Sequence, residues 1–204
     1  MNTQVLRISD PTAFQTALQV MEEGGIIAFP TDTVYGLACP AFSHKGIEKL
    51  YQIKGREATK AIPILIGSLV QLSMIAPALP EAALNLTDHF WPGALTLVIP
   101  RSPDLPDSLS AQPTVAVRMP DHPFTLELIK QSGPLATTSA NRSGQSNPLS
   151  AQDVLTQLGG MVDLVLDGGI VTGGVPSTIV DCTQKDVSII RLGAISEEEI
   201  FLAM

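Results

Sequence analysis

The chain has 204 residues, 45% of them apolar and 16% charged, and its aromatic residues are one Trp, two Tyr and six Phe. This length supports one hydrophobic core, which Val, Ile, Leu and Ala must build, and that composition favours a buried sheet covered by helices. The 12 Lys and Arg against 20 Asp and Glu give a net charge of -8, which excludes a protein that holds nucleic acid by its whole surface but allows a local basic pocket.

Hydrophobic periodicity predicts nine strands and seven helices. In chain order they are strand 5–8, helix 10–23, strand 26–29, helix 45–53, strand 62–66, helices 70–75 and 81–90, strands 95–99 and 114–117, helix 124–131, strand 135–137, helix 151–158, strands 164–166, 178–180 and 188–190, and helix 197–202. Several successive strands have no helix between them, so the pattern predicts an α/β fold with a mixed sheet.

Two connections between these elements are distinctive. Residues 30–35 form a polar turn that follows directly on a buried strand, which is where α/β proteins place functional side chains. Residues 100–113 are rich in Pro, Ser and Asp and are predicted to form a mobile surface loop. Asp10, which precedes Pro11, is predicted to cap the first helix.

The two cysteines, Cys39 and Cys182, are far apart in the sequence and show no CxxC or Cys/His spacing. They are therefore predicted to be free, reduced thiols, and no zinc site is expected. Residues 1–14 lack the basic start and apolar run of a secretory signal, and no apolar stretch reaches the roughly 18 residues of a membrane helix. These features predict a cytoplasmic protein without membrane contact.

The basic residues are unevenly distributed. Three of the 12 Lys and Arg, namely Lys54, Arg56 and Lys60, lie within one seven-residue loop. Arg118 and Arg191 lie at the ends of predicted strands, where their side chains can converge. A convergent set of cations in an acidic protein favours a compact anion such as nucleotide phosphate, and the alternative is a set of ordinary solvated cations. Neither a GxxxxGK[ST] loop nor a strand followed by GxGxxG is present to explain a phosphate site.

Five short segments occur in a fixed order along the chain: PTDTVYGL at 30–37, KGRE at 54–57, TTSANRSG at 137–144, PSTIVD at 176–181 and RLG at 191–193. Together they closely resemble the YrdC/TsaC family of threonylcarbamoyl-AMP synthases, over nearly the whole chain. The resemblance implies one domain over residues 1–204, with a twisted mixed sheet flanked by helices around a large open cavity. This chain resembles the short form of the family, without a second C-terminal domain.

The reaction implied by the resemblance joins the amine of L-threonine to bicarbonate or CO2. The carbamate then attacks the α-phosphate of ATP and expels pyrophosphate. The product, threonylcarbamoyl-adenylate, serves the modification of transfer RNA through a downstream transferase. Magnesium is expected to accompany the ATP, although no carboxylate cluster marks a metal site built by the protein. A transition state of this kind depends on positioning and on charge stabilisation more than on a general base.

The resemblance also implies two sets of site residues. The nucleotide set is Lys54, Arg56, Thr114, Ser139, Asn141, Asn147 and Arg191, of which Lys54 and Arg56 are the catalytic pair. The threonine set is Thr31, Thr33, Tyr35, Arg118, Thr137 and Ser177, with Arg118 as the partner of the carboxylate. Thr114 and Asn147 are placed by spacing rather than by motif. Residue type alone leaves alternatives: the hydroxyl residues cap turns, Asn141 fixes its own loop, and Tyr35 belongs to the core.

One segment departs from the family pattern, because Glu57 follows Arg56 where many relatives have Pro. The loop geometry of the family is therefore not carried over to this segment, and Lys60 is named only as a further phosphate contact to be tested. Two rival functions remain open. One is a module that binds structured RNA without catalysis, and a weak RNA contact is also compatible with the enzyme. The other is a paralogue of the family that uses a different carbamoyl acceptor.

Overall fold

The computed structural model of the chain describes residues 2–55 and 61–204. Within these residues the strands are β1 (Gln4–Arg7), β2 (Ile27–Phe29), β3 (Gly36–Pro40), β4 (Ile64–Leu65), β5 (Leu95–Pro100), β6 (Thr114–Arg118), β7 (Leu135–Ser139), β8 (Leu164–Asp167), β9 (Thr178–Asp181) and β10 (Ser188–Arg191). The helices are α1 (Ala13–Glu22), α2 (His44–Lys54), α3 (Leu69–Ile75), α4 (Glu81–Phe90), α5 (Pro123–Ser132), α6 (Ala151–Leu158) and α7 (Glu197–Leu202).

The described strands form one ten-stranded sheet in the order β1-β8-β2-β3-β7-β4-β6-β5-β9-β10. The neighbours β1–β8, β8–β2, β4–β6 and β5–β9 are parallel. The other neighbours are antiparallel. Short connections can join neighbouring strands only when the strands are antiparallel. The successive pairs β2–β3, β5–β6 and β9–β10 are antiparallel, so they need no helix between them. The prediction of a mixed sheet is confirmed.

The strands β2, β3, β4 and β7 are covered on both faces. One face packs against α1 and α5 in a cluster that includes Phe29, Leu65 and Leu135. The other face packs against the larger cluster to which α2, α3, α4, α6 and α7 contribute. Side chains that alternate along each strand supply both clusters, so these strands consist largely of buried residues. Helix α2 lies so close to β3 that a Cβ on Gly46 would come within 2.8 Å of Cys39 Sγ.

The strands β5, β6 and β9 are buried on one face and partly open on the other. Leu97, Val117 and Val180 are fully buried in the larger cluster. The residues that alternate with them, among them Val98, Ala116 and Ile179, are only half-buried. We call this second face, with its continuation on β10, the open face. A half-covered face towards the β10 edge of the sheet leaves room for a ligand site.

The predicted elements correspond to the observed ones, with small shifts at their ends, and one strand is added. β3 (Gly36–Pro40) lies after the predicted 30–35 turn, in a segment for which no element was predicted. It pairs with β2 and β7, and its first four residues are buried. The predicted cap of the first helix is wrong, because α1 begins at Ala13 and Asp10 instead accepts hydrogen bonds from Thr12 N at 2.8 Å and Thr12 Oγ1 at 2.7 Å.

The 100–113 segment is more firmly packed than expected. Leu105 and Leu109, four residues apart, are buried in the larger cluster. Ile62 N donates to Leu109 O at 2.9 Å, and Ser102 N donates to Ile75 O at 2.7 Å. The prediction of a mobile surface loop overlooked these two leucines, which anchor the segment to the core.

The thiol prediction is confirmed, since Cys39 and Cys182 are free and buried. Burial raises the pKa of Cys39 to about 12 and the pKa of Cys182 to about 11, so both stay protonated at neutral pH. Of the helices described in residues 2–55 and 61–204, none combines the length and apolar character needed to cross a lipid bilayer.

The start of α6 allows a direct test of helix capping. Ser150 Oγ accepts from Asp153 N at 3.1 Å, and Asp153 Oδ2 accepts from Ser150 N at 3.0 Å. We expect Ser150→Ala to lower the free energy of unfolding by about 1 kcal/mol, measured by urea denaturation. Ser68 is the matched control, because it occupies the N-cap of α3 without a side-chain cap bond. An equal loss in Ser68→Ala would contradict the assignment of the effect to the cap.

Candidate functional site

The 30–35 turn is held in shape by its own threonine and by a distant glycine. Thr31 Oγ1 donates to Val34 O at 2.7 Å and lies 3.0 Å from Thr33 Oγ1. Gly174 N donates to Thr33 O at 2.9 Å. At Gly173 a Cβ would lie 2.1 Å from Asp32 O, so only glycine allows this close approach of the two backbones. The turn is therefore fixed against the 173–174 segment that precedes β9.

Arg118, the last residue of β6, is the centre of the site. Its guanidinium donates from Nε to Gly93 O at 2.9 Å and from Nη1 to Thr33 Oγ1 at 2.9 Å. Nη2 donates to Asp32 Oδ1 and forms an ion pair with that carboxylate. Burial lowers the pKa of Arg118 from its usual value, while the charge of Asp32 opposes this shift. The group remains a cation at neutral pH, because the guanidinium of arginine keeps its proton in proteins.

Ser177 and Arg191 lie beside Arg118. Ser177 Oγ is 2.7 Å from Thr96 Oγ1, and Arg191 Nη2 donates to Ser177 O at 2.7 Å. The strand register explains the grouping, because both Thr96 and Arg191 pair with Ile179. The charge of Arg191 is also near enough to lower the pKa of Arg118. The open face thus carries two guanidinium groups and a pair of buried hydroxyls.

A second group of site residues surrounds Lys54, at the end of α2. The buried ammonium donates to Ser139 O and Asn141 O, each at 2.6 Å, and to Asn141 Oδ1 at 2.7 Å. Ser139 Oγ donates to the same Asn141 Oδ1 at 2.6 Å, and Asn141 Nδ2 donates to Gln145 O at 2.6 Å. These bonds give Lys54 a role in holding the turn after β7. A direct phosphate contact would require it to release one of these oxygens.

The main chain of Tyr35 connects the two groups. Its carbonyl oxygen accepts from Ala140 N at 2.8 Å. Its ring is fully buried, and the hydroxyl donates to Gly169 O at 2.7 Å and accepts from Gly168 N at 3.1 Å. This arrangement corresponds to the alternative in which Tyr35 belongs to the core. The side chain fixes the turn but does not line the open face.

Three other predicted residues lie at the margins. Thr137 is buried in β7, where its hydroxyl donates to Leu135 O at 3.0 Å. Thr114 is half-buried at the first position of β6, at the opposite end of the strand from Arg118. Asn147 is exposed in the segment before α6. The structure does not bring Thr114 or Asn147 into contact with either group through a described hydrogen bond.

The remaining sequence predictions concern the loop after Lys54, the cavity and a metal site. Arg56, Glu57 and Lys60 lie outside the described residues. The large open cavity stays a prediction, and two pockets of about 310 and 370 Å³ lie elsewhere, one beside α2 and one between α3 and α4. Within residues 2–55 and 61–204, no group of three or more His, Cys, Asp or Glu side chains is arranged to hold a metal ion.

Two residues of the site were missed by sequence reasoning. Asp32 was given no role, although it lies between two predicted site threonines. Thr96 was treated as an ordinary strand residue, because a β-branched residue in a strand needs no other explanation. The signal for Asp32 was available, since a carboxylate within a motif predicted to meet an arginine is a natural ion-pair partner.

Comparison with known proteins is consistent with this geometry. Residues 19–193 match the family model Sua5_yciO_yrdC, which is described as "Telomere recombination". A threonylcarbamoyl-AMP synthase of Bacillus subtilis is 40% identical over 201 residues, covering 97% of this chain and 58% of that protein. A putative threonylcarbamoyl-AMP synthase of Mycobacterium tuberculosis H37Rv is 38% identical over 186 residues, covering 91% of this chain and 86% of that protein.

A solved structure is also closely similar. The crystal structure of Pyrococcus abyssi Sua5 complexed with L-threonine superposes with a TM-score of 0.92 at 38% identity. The alignment covers 100% of this chain and 60% of that one. The chain therefore spans little more than half the length of several of the relatives it matches, among them the Bacillus subtilis protein at 58%.

Proposed function

Because this chain belongs to the Sua5_yciO_yrdC family, we propose that it is a nucleotidyltransferase that makes L-threonylcarbamoyl-adenylate. L-Threonine, bicarbonate and ATP are converted into the adenylate, pyrophosphate and water. The carbamate formed on the threonine amine attacks the α-phosphate, and the bond between the α- and β-phosphates breaks. The proposal is supported by the names of the curated relatives at 38–40% identity and by the L-threonine complex of the Pyrococcus abyssi protein.

The observation that carries the proposal is the buried guanidinium of Arg118, which donates to the Thr33 hydroxyl and shares the open face with the Ser177–Thr96 hydroxyl pair. An α-carboxylate is the natural ligand of such a group, and hydroxyls nearby suit a substrate that itself carries a hydroxyl. Thr31, Thr33, Thr137 and Ser177 are the proposed threonine-binding partners of Arg118. In this proposal Tyr35 shapes the turn from within the core.

We place the nucleotide beside the turn after β7, which Lys54 holds, and beside Arg191 on β10. Arg56 and Arg191 contact its phosphates, and Lys54 acts by holding the turn that contains Ser139 and Asn141. Negative charge that develops on the phosphate oxygens is stabilised by these groups. Thr114, Asn147 and Lys60 remain further nucleotide contacts to be tested. Magnesium supplies charge neutralisation while bound mainly through phosphate oxygens.

The product is an activated acyl phosphate, so a transferase that delivers the carbamoyl group to an amine must consume it. Modification of transfer RNA by such a partner completes the proposed role. ATP, bicarbonate and transfer RNA are available together in the cytoplasm, which is the proposed location. The net charge of -8 favours catalysis on small substrates over tight RNA binding as the main activity.

The deciding experiment is pyrophosphate release by the purified chain with ATP, magnesium and bicarbonate. We expect release only when L-threonine is added, and the adenylate should be detected by mass spectrometry. Release that is independent of threonine would reject the proposal. L-Serine in place of L-threonine tests the rival carbamoyl acceptor, since equal turnover with serine would show that the side-chain methyl group of threonine is not recognised.

A further inference from the structure

Asp32 is a charged residue of the site to which no role has been assigned. Its carboxylate contacts the guanidinium of Arg118, and the side chains of the two residues are only 17% and 8% exposed. Removing two opposite charges from water is costly, and an apolar pair of the same size is often as stable. A stabilising role alone therefore gives little reason to place this ion pair on the open face.

Both members of the pair retain bonding capacity. Arg118 has five N–H groups, and three of them donate to the described partners Gly93, Thr33 and Asp32. Asp32 uses Oδ1 for Arg118, and Oδ2 has no hydrogen-bond partner among residues 2–55 and 61–204. Oδ2 keeps some accessible surface, so a ligand atom can reach it. The pair thus presents one acceptor and further donors side by side.

This juxtaposition matches the charge pattern of an α-amino acid. The ammonium and carboxylate groups of such a molecule are attached to one carbon, so their binding groups must be immediate neighbours. We infer that Asp32 binds the α-amino group of the substrate while Arg118 binds its α-carboxylate. The inference rests on the proposed function and deepens it, because it assigns the amine-recognising residue of the threonine site.

In a competing explanation, the Asp32 carboxylate occupies the place of the substrate carboxylate on Arg118 and must move away before threonine binds. The two explanations differ in what removing the charge does. If Asp32 binds the amine, Asp32→Asn weakens the binding of threonine. If Asp32 competes with the substrate carboxylate, the same variant binds threonine more tightly, because Arg118 no longer has a competing anion.

The test measures binding of L-threonine and of 3-hydroxybutyrate, the analogue that lacks the amine, by isothermal titration calorimetry. The wild-type chain is expected to prefer threonine. In Asp32→Asn we expect threonine affinity to fall about 10- to 100-fold, while 3-hydroxybutyrate affinity stays the same or rises. Asp121→Asn is the matched control, because Asp121 is exposed in the loop before α5 and should leave both affinities unchanged.

Three results would overturn the inference. The first is unchanged or tighter threonine binding by Asp32→Asn. The second is equal affinity of the wild-type chain for threonine and 3-hydroxybutyrate. The second needs no variant, so it decides even if Asp32→Asn does not fold. The third is a wild-type chain that neither binds threonine nor uses it in pyrophosphate release, and that result alone also rejects the proposed function. Unaltered ATP affinity in Asp32→Asn verifies that the variant is folded.

Discussion

Replacing Arg118 by lysine is expected to lower kcat/KM for L-threonine by about 100- to 1,000-fold, with little change in the KM for ATP. Arg118 contacts Gly93, Thr33 and Asp32 at once through a planar group. A lysine ammonium is a single point of charge and cannot reach the three partners and a substrate carboxylate together. The loss should therefore fall on threonine, and steady-state kinetics with each substrate varied in turn would measure it.

Arg101→Lys is the matched control for this change. Arg101 also donates to backbone oxygens, of Ser110 and Leu105, and to the carboxylate of Asp107, but it lies in the 100–113 segment. We expect its variant to change stability modestly and to leave threonine kinetics intact. An Arg118→Lys enzyme with normal kcat/KM for threonine would remove Arg118 from the substrate site.

Replacing Lys54 by methionine is expected to lower the free energy of unfolding by about 3 kcal/mol and the turnover of ATP by about 100-fold. Methionine keeps much of the length of the side chain but donates no hydrogen bond. The oxygens of Ser139 and Asn141 that now accept from the buried ammonium would lose their charged partner. The turn after β7 would then relax, which displaces the groups proposed to hold the nucleotide.

Thermal and urea denaturation, together with ATP kinetics, would measure both effects of Lys54→Met. Lys45→Met serves as the control, because Lys45 is exposed on the same helix. Full stability with lost activity would indicate that Lys54 contacts phosphate directly and does not act through the turn. Full stability and full activity together would exclude Lys54 from both roles.

The sequence allowed most elements of the fold to be predicted, because their apolar patterns are strong. Helices α4, α6 and α7 were predicted with their observed bounds, and each has a clear pattern or a polar residue at its start. The strand β3 could not be predicted locally. It is a short segment between Gly36 and Pro40, and its extended form depends on pairing with β7, about 100 residues away in the chain.

The positions of the candidate site residues could be named from the sequence, but their contacts could not. Motif resemblance identified Thr33, Arg118 and Ser177, and the structure brings all three to the open face. The resemblance could not reveal that Lys54 donates a hydrogen bond to the turn that contains Asn141, because that contact joins the end of a helix to a segment after a distant strand. Asp32 was missed since a carboxylate in a turn has an adequate local explanation.

Because β5, β6 and β9 are partly uncovered on one face, the side chains that stabilise the fold differ from those that line the open face. The close packing on which folding depends is concentrated in the strands covered on both faces. Side chains such as Val98, Ala116 and Ile179 lie on the open face and are only half-buried. Substitutions at such positions should cost less stability than substitutions in the doubly covered strands, so this face can change its chemistry while the fold is kept.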